Sequence, residues 1–168
     1  SIQSRGFTLI ELLVVIAIIG LLSGVVMASM SSARVKARNA ARKAVLTQLR
    51  TALELYNGSA GLYPSTSGAT YISDLMDEYP GFTTNGGNWV PGLAPTYIKT
   101  LPHNLGGRGN CGASVAHGAY LYVSDGSDYK LFSHCDPEGS WTSSDPFYDP
   151  ARPSTSLMIC SGGAACAW

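Results

Sequence analysis

Residues 7–30 are apolar at every position except Thr8, Glu11, Ser23 and Ser29. As a helix, a run of this length crosses a hydrocarbon core of about 30 Å. Past Ala33 the pattern turns amphipathic. Ala37, Ala41, Ala44, Val45, Leu49, Ala52, Leu53 and Tyr56 recur at three- and four-residue steps, while Lys36, Arg42, Lys43, Arg50 and Glu54 take other faces. Nothing in residues 7–56 forces a break, although Gly20, Ser23 and Gly24 weaken the helix locally. The pattern predicts one long helix, of which half is a membrane-length segment.

Downstream the period changes. In "GAYLYVSDGSDYKLFSHC", Tyr120, Tyr122, Tyr129 and Phe132 favour strands, and Asp125, Gly126, Ser127 and Asp128 supply a turn between them. A further short strand is expected at Ser156–Cys160, a brief helix over residues 71–79, and a connector over 94–102. Every proline lies at Pro64 or later, and all but three of the nineteen glycines at Gly58 or later, which sets a boundary near Asn57. The expected fold is α+β: a long N-terminal helix with a transmembrane half (7–30) and an amphipathic half (31–57), packed on a small antiparallel β-sheet head (58–168) with disulfide-tied loops.

Charge is balanced overall and uneven along the chain. Residues 1–50 hold seven Lys or Arg against Glu11 alone, and the remainder holds four against ten acids. Opposite potentials at the two ends would orient contacts between copies. The acidic head repels phosphate, which argues against nucleic acid as its partner. Basic residues lie mainly after the apolar run, so charge counting alone leaves the membrane topology open.

Cys111, Cys135, Cys160 and Cys166 are confined to the head and lack paired C-x-x-C zinc spacing, so disulfides are expected. Of three pairings, Cys111 with Cys135 would tie a loop to the hairpin, and Cys160 with Cys166 would close "SGGAA"; these are favoured. No nucleophile-elbow, zinc-protease or phosphate-loop motif is present, and His103, His117 and His134 are scattered, so the chain is read as a non-enzyme.

A carboxylate inside a membrane-length run is costly and calls for a partner. A cleavable secretion signal ending in "LLSGVVMASMSSA" is a rival for the apolar run; Glu11 within it and the helical period running past the cut count against that. "RGFTLIELLVVIAIIGLL" closely resembles the N-terminus of type IV prepilins and of the pseudopilins of type II secretion. The resemblance implies a leader of residues 1–6, cleaved after Gly6 by a prepilin peptidase, with Phe7 N-methylated as the new terminus. It also implies that Glu11 pairs with the Phe7 amine of a neighbouring subunit during assembly. Many type IV pilins carry a proline in this stretch and this chain does not.

By the same resemblance the partners are copies of the chain in a helical homopolymer, the peptidase and methyltransferase, the inner-membrane assembly machinery, and the membrane before assembly. No cofactor is required. Calcium is the ion implied by the family's C-terminal loop, with Asp125, Asp128, Asp136 and Glu138 as oxygen donors. The function placed first is a subunit of a surface type IV pilus serving adhesion, twitching motility or DNA uptake, moving from inner membrane to extracellular fibre. The alternatives are a major pseudopilin of type II secretion and a membrane-tethered binding module that does not polymerise.

Overall fold

The computed structural model describes residues 6–67, 71–74, 83–84, 86–104 and 118–168. Its elements are the helix α1 (Leu9–Ala60) and the strands β1 (Ile72–Ser73), β2 (Thr83–Thr84), β3 (Ala119–Ser124), β4 (Tyr129–His134) and β5 (Ser156–Cys160), with short 3-10 turns at Gly86–Asn88 and Gly163–Ala167. The chain divides into two compact units, Ser1–Arg38 and Asn39–Trp168.

The first unit contains the start of α1, and all its described residues up to Arg34 are exposed apart from Ala28, whose side chain is not described. A capping box opens the helix. Thr8 Oγ1 accepts from Glu11 N at 3.3 Å, and Glu11 Oε2 accepts in return from Thr8 N at 2.8 Å and Thr8 Oγ1 at 2.7 Å. This satisfies N–H groups that the first helical turn leaves without intrahelical partners.

In the second unit the rest of α1 lies on the sheet. Leu46, Leu49, Ala52 and Leu53 form a buried stripe at helical spacing, flanked by the partly buried Val45 and Tyr56. Burying one such leucine contributes about 1.5–3 kcal/mol. At its end Gly61, with φ of 74°, adopts the left-handed conformation that glycine tolerates best, and its N–H reaches Asn57 O at 2.7 Å. The following chain runs against the hairpin turn, with Tyr63 N donating to Gly126 O and Thr66 N to Ser124 O.

The strand order is β2-β1-β3-β4-β5, antiparallel throughout except for the parallel pair β1–β2 at the edge. Asp125 caps the β3–β4 turn by accepting from Ser127 N at 2.9 Å and Asp128 N at 2.8 Å. β5 has the limits expected of it. At its outer edge Tyr148 bridges to Leu157, so irregular chain covers that side. Residues 72–73, expected to begin a brief helix, form β1 instead, because Ile72 and Ser73 pair with Tyr122 and Leu121 of β3. Residues 75–80 lie outside the described residues.

Strand alternation gives the sheet two buried faces. Tyr120, Tyr122, Tyr129, Leu131, Leu157 and Ile159 meet the α1 stripe together with Trp89, Val90, Leu93 and Leu101. Ala119, Leu121, Phe132 and Met158 form a second cluster on the other face, joined by Tyr71, Cys160 and Cys166. Cys160 and Cys166 form a disulfide, as expected. Cys135 is also disulfide-bonded; Cys111, the partner favoured for it, lies outside the described residues.

Candidate functional site

The sequence placed its chemistry at two locations, and the structure holds them in different ways. At the N-terminus, Gly6 and Phe7 are exposed and precede the first helical turn, with Glu11 in that turn. Every large apolar side chain described from Phe7 to Met30 is exposed, including Phe7 at 87%, Leu9 at 88% and Leu21 at 75%. α1 is long and apolar enough to cross a membrane. The carboxylate's partner is Thr8, three residues away, a pairing already signalled by the T-x-x-E order of residues 8–11 and not used in the sequence reading.

In the head, the four carboxylates expected around calcium do not come together. Asp125 and Asp128 sit at the hairpin turn, where Asp128 Oδ1 accepts from Ser161 Oγ at 2.6 Å. Asp136 and Glu138 follow the opposite end of β4. There Asn39 pairs with the Glu138 backbone in both directions, its Nδ2 donating to Glu138 O at 2.7 Å and its Oδ1 accepting from Glu138 N at 3.2 Å. Asp136, 2% exposed, accepts a hydrogen bond from Asn104 and lies 3.8 Å from Arg42 Nε. Asp145 pairs with Lys43 at 2.6 Å. Burial alone would raise the Asp145 pKa, but the Lys43 bond, the Phe147 N–H and the Lys43 charge outweigh it and hold the carboxyl below its ordinary value.

The sequence reading also missed a polar cluster on the second face of the sheet. Lys130 lies in β4 with Asp149 beside it at 3.0 Å, and neither side chain is exposed. Arg152 stands 3.5 Å from Asp149 and over the Phe132 ring at 4.9 Å. The available signal was a lysine alternating in register with Phe132 in "YKLF". Burial and the Arg152 charge, against the opposing Asp149, push the nearby His134 down to about 4.

This has a testable pH consequence. The unfolded imidazole titrates near 6.5, so between pH 6.5 and about 4 the unfolded chain binds more protons at this site. His134 therefore makes the fold less stable as pH falls through that window, by at most about 1.4 kcal/mol per pH unit. Asp74 works in the opposite direction, because burial raises its pKa and the folded chain takes up its proton first on acidification. The difference in unfolding free energy between wild type and His134→Gln, measured from pH 7 to 4, isolates the histidine. The variant is expected to show the shallower acid loss, and parallel curves would exclude His134 as a cause.

Residues 3–27 match the prokaryotic N-terminal methylation motif. Type II secretion system core protein G of Escherichia coli (strain K12) is 30% identical over 130 residues, spanning 77% of this chain and 86% of that relative. This chain belongs to the type IV pilin and pseudopilin family. The core protein G of Pseudomonas aeruginosa is 36% identical to this family member over 100 residues, spanning 60% of the chain and 66% of the relative. That of Pectobacterium carotovorum is 36% identical over 64 residues, 38% and 41% of the two lengths. No solved structure matches it. All three of these relatives carry a secretion-system name, which backs the pseudopilin reading ahead of the surface pilus that the sequence reading placed first.

Proposed function

We propose that this chain is a structural pseudopilin of a type II secretion system, a membrane-anchored subunit that polymerises through α1 into a short filament. The observation that carries this reading is the extent of the likeness to the Escherichia coli core protein G: 130 residues, far beyond the methylation motif and well into the head. The exposed apolar surface of residues 7–30 supports the same reading, since in water it has no described covering, whereas lipid or neighbouring helices would bury it. In the proposed cycle a prepilin peptidase cuts after Gly6, Phe7 is methylated, and Glu11 of an incoming subunit meets the new amine of a neighbour within the inner-membrane assembly machinery. The subunit performs no catalytic step in this cycle.

Shearing of cells, followed by intact mass and N-terminal sequencing of the processed protein in the sheared and envelope fractions, tests it. A chain starting at methylated Phe7 and retained in the envelope is expected. The same chain abundant in sheared fibres would replace the pseudopilin with a surface pilin, and a chain starting beyond Met30 would remove both.

A further inference from the structure

The family resemblance implies calcium in a C-terminal loop, with Asp125, Asp128, Asp136 and Glu138 as donors. Asp125 and Asp128 lie apart at the β3–β4 turn, so the residues of the β4–β5 loop test what remains of the implication. Calcium takes six to eight oxygens converging on one point. Here the loop's aspartates face cations of the protein itself: Asp136 faces Arg42 at 3.8 Å, Asp145 faces Lys43 at 2.6 Å, and Asp149 faces Lys130 at 3.0 Å and Arg152 at 3.5 Å. Among the described residues, no three His, Cys, Asp or Glu side chains stand close enough to share a metal. Asp136 Oδ1 and Asp149 Oδ2 are buried without a hydrogen-bond partner. Each, however, belongs to a carboxylate already facing an ammonium or guanidinium, which would repel a dication placed there. The donor set does not fit calcium.

Lys130 shows what holds the loop. An ammonium has three donors. Lys130 Nζ has three oxygens around it: Asp149 Oδ1 at 3.0 Å, Trp168 O at 2.6 Å and Cys166 O at 3.4 Å. These belong to the β4–β5 loop and to the segment after β5, so one charge on β4 gathers three stretches of chain. Arg152 extends the cluster by donating to Trp168 O at 3.2 Å and to the Tyr71 hydroxyl at 3.2 Å. Bound dications cross-link loops in the same way, with carboxylate and carbonyl oxygens around a central charge.

We propose that Lys130, with Arg152 beside it, is a built-in structural cation that fastens the β4–β5 loop and the chain after β5 in place of a divalent metal, so that the head folds independently of calcium. The assignment holds for a pilin and a pseudopilin alike.

Thermal unfolding of the full chain in detergent micelles, followed by near-ultraviolet circular dichroism in excess EDTA and in millimolar calcium chloride, is the test. The two wild-type midpoints are expected to agree within about 1 °C, since a ligand that does not bind shifts nothing. Lys130→Met is expected to lower the midpoint by roughly 10 °C in both buffers, because Asp149 is left buried without its main cation. Adding Asp149→Asn, which removes that orphaned charge, is expected to recover at least half of the loss. A wild-type midpoint that falls in EDTA and returns with calcium would overturn the proposal, as would Lys130→Met unfolding at the wild-type temperature. If Lys130→Met does not fold, the wild-type comparison decides the calcium question. The double variant then decides the role of the lysine: rescue supports it, and rescue that requires calcium overturns it.

Discussion

Glu11→Gln is expected to reduce incorporation of the subunit into assemblies by roughly 100-fold, the order expected when one partner of a buried ion pair is removed, and to leave the unfolding of the head unchanged. Glutamine serves in a capping box as glutamate does, so the hydrogen bonds with Thr8 survive the change while the charge does not. Glu11→Ala removes both. The pair of variants therefore separates the capping contact that the structure shows for this carboxylate from its proposed pairing with an amine. Quantitative immunoblotting of cross-linked assemblies from cells, with the unfolding midpoint of the purified chain as control, reads the outcome. Loss of assembly in both variants assigns the role to the charge. A glutamine variant that assembles at the wild-type level while the alanine variant fails would reduce Glu11 to a helix cap and remove the pairing from the proposed cycle.

Trp89→Ala is expected to destabilise the head by about 4 kcal/mol, in the range for truncating a fully buried aromatic side chain. Trp89 is wholly buried, stacks near-parallel on Tyr120 with centroids 6.2 Å apart, and donates from Nε1 to Pro102 O at 3.1 Å. It thus joins an otherwise irregular stretch, residues 86–104, to the α1 face of the sheet. Trp89→Phe keeps much of the ring and loses the hydrogen bond, and about 1–2 kcal/mol is expected for it. Denaturant unfolding of the full chain in micelles measures both. An alanine variant within about 1 kcal/mol of wild type would mean that the stretch only rests on the core.

The long helix, the β3–β4 hairpin and β5 were legible because each carries its own signal: a 3.6-residue period, a polar turn between alternating strands, a short apolar run. β1 was not. Two residues have no measurable period, and Ile72 and Ser73 become a strand only because β3 offers them a free edge. The N-terminal motif was legible because it is contiguous, although the Thr8–Glu11 box within it went unread. The calcium expectation came from the family resemblance together with residue type, and the cations that face Asp136 and Asp145 come from elsewhere in the chain. Lys43 and Asp145 are 102 residues apart in sequence, and Arg42 reaches Asp136 across a comparable distance. Such pairs become visible only when the fold brings them together.

The stripe of Leu46, Leu49, Ala52 and Leu53 sets where such proteins can recombine. A crossover between two genes at the codon for Asn57 would pair one protein's stripe with a sheet shaped for another's, leaving mismatched volumes in the core. A crossover before Asn39 would carry the stripe together with its sheet, along with the Asn39, Arg42 and Lys43 contacts to the β4–β5 loop. Residues 39–60 of the helix therefore belong with the sheet as one packing module, and an exchange that keeps them together leaves the core volumes matched.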